Sequence, residues 1–397
     1  MKVAQINAVC GKGSTGKICI EISKILDENN IENKIYFVSG EKSFTNGIKY
    51  SSTFYIKCMA LLSRIFGNNG FNSTFATKRL IKELKNFNPD VIHLHNLHGH
   101  NVNLKILFDY LNQSNKKIIW TFHDCWAFTG YCPYFVMAKC DKWKAECYKC
   151  QQKQDTTWFF DRSKNIFNRK KSAITQLQNL TIITPSKWLA DLVKQSFLQD
   201  YPVQVINNGI DLSIFKPTTG DFRQKYNIAD DKFILLGVAF GWGKRKGLDV
   251  FIELSKRLSD KYQIVLVGTN DKTDKLLPKN IISIHRTQNQ TELAEIYTAA
   301  NLFVNPTREE NYPTVNMESL ACGTPVLTFR TGGSPEILDN TCGSVVGCDD
   351  IDAMQTEIER ICETKPYSKD ACLIRAESFD MNNRFKEYLE LYDRLAH

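Results

Sequence analysis

The chain has 397 residues, 43% of them hydrophobic and 24% charged, which is enough apolar content for packed cores and a length that suggests two or three domains. No apolar run approaches the roughly 20 residues of a membrane span, and the opening MKVAQINAV is patterned as a strand rather than a signal peptide, so a cytoplasmic protein is expected. Its thirteen cysteines are then expected as thiols or metal ligands, not disulfides. The net charge of +8 is uneven: 28 Lys and Arg stand against 15 Asp and Glu through residue 210, and 23 against 28 beyond it. Such asymmetry suggests two domains with different partners. A basic half can meet nucleic acid or anionic lipid. No zinc-finger spacing or aromatic RNA-binding motif favours nucleic acid, and none is expected as a partner.

In chain order, Lys2 to Val9 reads as a strand, followed by a loop carrying Gly11, Gly13 and Gly16 and a helix from Ile18 to Glu28. Gly11, four residues and Gly16-Lys17 nearly spell a P-loop, but Ile18 stands where that motif needs the hydroxyl that holds Mg²⁺. The same glycines also fit the G-x-G-x-x-G spacing of a dinucleotide site. Ile35 to Val38 reads as the next strand. Residues 54–88 read as helical, with basic positions Lys57, Arg64, Lys78, Arg79, Lys82 and Lys85. Within them Phe54, Cys58, Leu61, Leu62 and Ile65 form an apolar stripe. Such a stripe usually faces a core, and with its basic neighbours it also suits an anionic membrane surface.

Residues 90–95 form another strand pattern, DVIHLH, in which His93 and His95 share a face. With no cysteine or carboxylate nearby to complete a metal site, a polar strand end is the favoured reading. Ile118 to Phe122 is a strand that ends in His123-Asp124. Cys132, Cys140, Cys147 and Cys150 follow, the last two as C-x-x-C; they can hold a structural Zn²⁺ or pack as thiols. After strands at 180–184 and 203–206 comes a turn-rich stretch, NNGID, a candidate boundary before a second domain.

The second domain repeats the alternation of strand and helix, which implies a parallel sheet. Strand 233–240 leads through Gly241 to Gly247 into a helix from Leu248, and strands at 263–268 and 281–285 follow. A short buried strand, Leu302-Phe303-Val304, then opens the most informative stretch, NPTREENYPTVNMESLACGTPVLTFRTGGSPEIL. Here Glu310 lies in a polar loop and Glu318 within a helix from Thr314 to Cys322, which Gly323 stops. The helix start between the two carboxylates is an anion site. A diphosphate with hydroxyls on both sides, a sugar nucleotide, suits it.

Glu310, seven residues, Glu318, then ACGTPV and the later GGSPE resemble the retaining nucleotide-sugar glycosyltransferases of family 4. The resemblance implies an α/β GT-B fold, two doubly wound Rossmann-like domains facing across a cleft, with NNGID and Phe215-Lys216-Pro217 as the linker between a first domain at 1–212 and a second at 221–379, and a last helix at about 380–397 packed back on the first domain. It implies that His123 faces the donor sugar, that Gly13 and Gly16 allow close approach of a ligand, and that Lys246-Gly247 binds phosphate. Family members carry an arginine near the end of the preceding strand; here Phe240-Gly241-Trp242 stands there, leaving Arg245 or Lys244 to supply the second cation. Glu318 is expected on the ribose diol and Glu310 on donor-sugar hydroxyls. The helix start at Tyr312, Pro313, Thr314 and Val315 is expected on the diphosphate, and Arg286 near the base. No metal is expected to be needed for transfer. The D-x-D at Asp350 to Asp352 is expected to be a helix cap. The segment TFHDCWAFTGYC and the cysteines after it look like bacterial enzymes of capsule, O-antigen or exopolysaccharide synthesis, with a saccharide or lipid-linked saccharide acceptor. The rivals are a P-loop-like phosphotransferase on the 11–17 loop, a dehydrogenase, and a non-catalytic nucleotide-sugar or saccharide binder.

Overall fold

A computed structural model describes residues 1–40 and 44–396. The chain divides into two compact units, Met1–Asn207 with Phe385–His397, and Asn208–Arg384. No helix among the described residues is long and apolar enough to cross a membrane.

Among the described residues, the first unit carries a seven-stranded sheet. Its spatial order is Gly47–Lys49, Glu32–Phe37, Lys2–Ile6, Val91–Leu94, Lys117–Thr121, Leu180–Thr184, Val203–Val205. All pairs are parallel. The strands are buried on both faces, so they read as near-continuous apolar runs rather than alternations. The chain starts in the middle: Lys2–Ile6 pairs on one side with the next long strand and on the other with Val91–Leu94. That reversal is the switch point of a doubly wound sheet, and the loops leaving these strands are where ligands bind.

The segment expected as one helical run is two helices, Thr53–Phe66 and Thr74–Phe87. Gly67 breaks it with a left-handed φ of 67°, and Asn68-Asn69-Gly70 follows. The first helix of the chain starts at Gly13, five residues before the apolar pattern makes it visible. From Phe385 onward the last helix, Met381–Ala396, belongs to this unit. Tyr388 OH meets Thr121 Oγ1 at 3.2 Å, and Arg394 donates to Gln204 at 2.6 Å.

The second unit has a six-stranded sheet among the described residues, in the order Ile281–Ile284, Tyr262–Val267, Phe233–Val238, Leu302–Asn305, Val326–Phe329, Gly343–Val346, again parallel. Its switch point lies between Phe233–Val238 and Leu302–Asn305. The loops 239–247 and 306–313 leave there. Asp350 caps the helix Ile351–Thr364 by accepting from the Ala353 N–H at 2.9 Å, the role expected for that D-x-D. The helix Lys369–Glu377 lacks a clear apolar stripe and is not evident in the sequence.

Candidate active site

In the second unit the two switch-point loops are closed onto each other by glycine. Lys244–Lys246 is a single 3₁₀ turn that ends at Gly247, with φ 75°. A Cβ there would lie 2.4 Å from the Pro306 carbonyl oxygen, so no other residue allows this approach. The approach brings the Lys246 ammonium into an ion pair with Glu310; the side chains are 20% and 17% exposed. On the far side Gly332, at φ 55°, would place a Cβ 1.7 Å from the Glu310 carbonyl oxygen. The Gly333 N–H donates to the Asn311 carbonyl at 2.7 Å. The glycine pair is thus the buttress of the Glu310 loop.

Arg308 fastens the same loop from inside. Its guanidinium donates to both Asp249 oxygens at 2.7 and 2.9 Å, to Asp349 at 2.6 Å, and to the Lys244 carbonyl. Burial would raise the Asp249 carboxyl, but the Arg308 hydrogen bonds and charge outweigh it and hold it below the usual range. Asp249 is half exposed, so this pair counts for the geometry it imposes more than for its energy. Sequence reasoning missed Arg308; its place directly before Glu309-Glu310 was the available signal. Arg245 is exposed, and its guanidinium donates to the Glu309 carbonyl at 3.2 Å. The cation on the Glu310 carboxylate is therefore Lys246.

The helix Thr314–Ala321 follows Pro313, and Gly323, at φ 82°, stands just past its end. Its first-turn N–H groups, those of Thr314 and Val315, have no partner within the helix by construction. Tyr312 packs its ring into the core, and burial pushes its hydroxyl up to about 12. Glu318, one turn into the helix, accepts from the Tyr297 hydroxyl at 3.2 Å. Burial and then the Glu318 charge keep Tyr297 protonated, so it donates and orients the carboxylate. Arg286 is exposed just after Ile281–Ile284, beside His285, which meets Asp274 at 2.6 Å. Phe240 is fully exposed at the end of its strand, while Trp242 is anchored by its indole N–H on the Val267 carbonyl at 3.0 Å.

In the first unit the histidines form a linked set. His93 Nε2 meets Thr121 Oγ1 at 2.8 Å and its Nδ1 meets Tyr392 OH at 2.6 Å. His95 lies between Gln5 Oε1, 3.2 Å from its Nε2, and His123 Nε2, 3.2 Å from its Nδ1. Gln5 Nε2 donates to the Cys19 carbonyl at 3.0 Å, which turns Gln5 Oε1 toward His95 as an acceptor. His95 therefore carries its proton on Nε2, and its bare Nδ1 accepts from His123 Nε2–H. That leaves Nδ1 of neutral His123 as an acceptor. Burial, partly countered by Asp124, lowers His123 to about 4. His98 Nε2 meets Asp124 at 2.9 Å. Both nitrogens of His93 and of His95 are engaged by protein groups, in line with the polar strand end expected there.

Under this loop Lys170 is fully buried. It donates to the carbonyls of Trp126 at 2.7 Å and Thr129 at 3.1 Å, and sits 3.4 Å from the Trp126 ring centroid. The glycine loop closes on itself, the Gly11 N–H donating to the Gly16 carbonyl at 3.2 Å, and Gly13 opens the helix. Ile18 is buried in the core, so the position that would hold Mg²⁺ in a P-loop is an apolar packing residue.

In the cysteine segment a structural zinc would need four sulfurs within reach of one ion. Cys132 and Cys150 sulfurs are 3.7 Å apart, and the Gly130 N–H donates to Cys147 Sγ at 3.2 Å. A zinc tetrahedron needs about 3.8 Å between every pair of four sulfurs, from Zn–S bonds near 2.3 Å. Among the described residues, the group of three or more candidate ligands mutually within 4.8 Å is the exposed set Asp271, Asp274 and His285, not the cysteines. Among the described residues no three of Cys132, Cys140, Cys147 and Cys150 bring their sulfurs mutually within 4.8 Å, and all four pack, part-buried, against the hydrophobic core.

Two doubly wound units, one bearing a phosphate-type helix start between two carboxylates and a lysine, define a glycosyltransferase of the GT-B class. The comparisons agree. A model described as Glycosyltransferase Family 4 matches residues 21–214, and one described as Glycosyl transferases group 1 matches 219–376; together they place the chain among the family 4 glycosyltransferases. A colanic acid biosynthesis glycosyl transferase of Escherichia coli K12, WcaC, is 21% identical over 367 residues, 88% of each chain. The N,N'-diacetylbacillosaminyl-diphospho-undecaprenol alpha-1,3-N-acetylgalactosaminyltransferase of Campylobacter jejuni is 24% identical over 52% of this chain and 58% of that one. Among solved structures, a sucrose-phosphate synthase from Thermosynechococcus elongatus superposes with a TM-score of 0.73 at 16% identity, covering 99% of this chain and 98% of that one. Anabaena Alr3699/HepE in complex with UDP-glucose gives 0.68 at 12% identity, covering 99% and 100%.

Proposed function

We propose that this glycosyltransferase moves a sugar, with retention of anomeric configuration, from a nucleotide diphosphate sugar to a saccharide or lipid-linked saccharide acceptor in bacterial surface polysaccharide synthesis. The observation that carries the reading is the Lys246–Glu310 pair beside the start of the 314–321 helix, with Glu318 one turn inside. In this reading Lys246, with Arg245 beside it, and the N–H groups of the helix start neutralise the diphosphate as charge develops on the leaving group. Glu318 accepts from the ribose diol and Glu310 from donor-sugar hydroxyls. The transfer needs no metal. His123 is assigned to orienting the sugar, the role the family resemblance implies for it. The UDP-glucose complex of the Anabaena relative supports the donor class, and the diphospho-undecaprenol named for the Campylobacter relative supports a lipid-linked acceptor. The buried Ile18 speaks against a phosphotransferase on the glycine loop. The work is done on the cytoplasmic side.

The test is a thermal-shift screen with UDP, GDP, ATP and NAD, then turnover of UDP- and GDP-hexoses with the anomeric configuration of the product read by NMR. Nucleoside diphosphates are expected to stabilise the protein, and ATP and NAD are not. Glu318→Gln is expected to weaken nucleotide binding by about 1.5–3 kcal/mol, the worth of charged hydrogen bonds. Unchanged affinity in that variant overturns the ribose assignment, and an inverted product overturns retention.

A further inference from the structure

The helix Thr53–Phe66 rests on the core through Tyr55 and Ile56 but turns much of its apolar surface outward. Its sequence is TFYIKCMALLSRIF, and its one buried residue is Ser63. Phe54, Leu61, Leu62 and Phe66 are exposed, Phe54 to 78%. Hydrogen bonds lock this orientation: Ser63 Oγ accepts from Asn72 Nδ2 at 2.9 Å and meets His100 Nδ1 at 3.1 Å. The apolar stripe that normally finds a core faces solvent instead.

Two further segments extend this face. The Arg64 carbonyl accepts from the Trp158 N–H at 2.7 Å and from Thr157 Oγ1 at 3.1 Å, which ties the 157–160 loop to the helix end. That loop presents three consecutive aromatics, Trp158, Phe159 and Phe160, each more than half exposed. At the other end Tyr55 meets the ring of Phe75, itself 76% exposed, at a centroid distance of 6.5 Å. Phe75, Lys78, Arg79 and Lys82 stand at i, i+3, i+4 and i+7 of the helix Thr74–Phe87, one exposed stripe. From Phe44 to Lys82 the chain has no Asp or Glu, while it has Lys49, Lys57, Arg64, Lys78, Arg79 and Lys82. Next to the aromatic loop, Arg162 donates to Asn68 at 3.1 Å and lines, with Lys105, Lys164 and Arg169 and the carboxylates of Asp109 and Asp161, a groove of about 680 Å³ that is cationic on balance.

We propose that this face of the first unit docks on an anionic lipid bilayer. The aromatic loop and the outer side of the 53–66 helix enter the interfacial zone, and the lysines and arginines meet headgroup phosphates. A contiguous apolar face of this kind marks a docking surface. A bilayer is the occupant because the cations from Lys49 to Lys82 come without interspersed carboxylates, Glu83 being the first to follow: a negative plane is complementary to that, whereas a protein partner is usually met with charges of both signs. Tryptophan and its aromatic neighbours at a chain tip are the side chains that seat at the headgroup level. The proposal does not rest on the transfer reaction.

The experiment is flotation of the full chain with phosphatidylcholine vesicles with and without phosphatidylglycerol, at low and physiological salt. Binding is expected only with phosphatidylglycerol and is expected to fall as salt rises. Trp158→Ser with Phe159→Ser and Phe160→Ser, and separately Lys78→Glu with Arg79→Glu and Lys82→Glu, are each expected to weaken binding at least about tenfold, with UDP or GDP binding unchanged. The charge set keeps the test intact if the aromatic set does not fold. Binding that ignores lipid charge, or that both sets leave intact, overturns the proposal. So does a self-association lost in these variants without any vesicle binding.

Discussion

At the scale of single residues, the histidines show how far identity and environment separate. The strand-end position of His123 is legible from an apolar run that stops at His-Asp. Its protonation state is not, because that depends on Gln5 and His95 arriving from other strands. Burial first, with neighbouring histidines adding to it, lowers His93 to about 3 and His123 to about 4, and lowers His95 well below its usual value. Free histidine titrates near 6.5. Between these values the unfolded chain binds more protons than the native one, so stability rises with pH there. The contribution is complete above about 6.5 and is lost as pH falls toward 4. Melting temperature is therefore expected to be level from pH 8 to 7 and to drop steadily from 6.5 to 4.5. A flat profile across that lower range would contradict neutral burial of these rings.

At the scale of elements, the loops of the second unit depend on approaches that only glycine permits. The spacing of Glu310 and Glu318 put one carboxylate in a loop and one on a helix, and the structure has them there. That Arg308, Asp249 and Asp349 clamp that loop was not legible from local pattern, since these residues are up to 100 positions apart and meet only in the folded unit. Gly332→Ala is expected to lower stability by at least about 1–2 kcal/mol from its left-handed backbone alone, and to impair nucleotide-sugar turnover by displacing Glu310. Gly241→Ala is the control, because a Cβ there meets nothing within 4 Å. Denaturant melts of both variants check this; equal stability would show that the Glu310 loop yields freely. The helix Thr53–Phe66 makes the opposite point. Its periodicity was plain, but which side faces the core was decided by Ser63, Asn72 and His100.

At the scale of the whole molecule, the excess of positive charge before residue 210 coincides with a unit whose exposed helix stripe is basic, and the acidic excess falls in the unit that carries the proposed donor site. The cysteines are spread over both units, and burial raises most of those with a resolved shift, among them Cys322 and Cys372 to about 12. These are inert thiols in the packed interior. Sugar transfer is expected to proceed at an unchanged rate after exhaustive treatment with EDTA. A rate that collapses on chelation and returns with a divalent cation would assign the metal a role in catalysis.

The sequence by itself determined the alternation of strand and helix, the doubly wound class, the place of the Glu310–Glu318 stretch and of His123, and the failure of the P-loop at Ile18. These follow from local periodicity and from short motifs whose residues are neighbours along the chain. Only the tertiary structure decided which lysine pairs with Glu310, which tautomer His123 holds, that the Cys132 and Cys150 sulfurs approach to 3.7 Å, and that apolar side chains of the 53–66 helix point outward. Each of these rests on contacts between residues distant in sequence, whose distances are set by how the sheet and its loops pack.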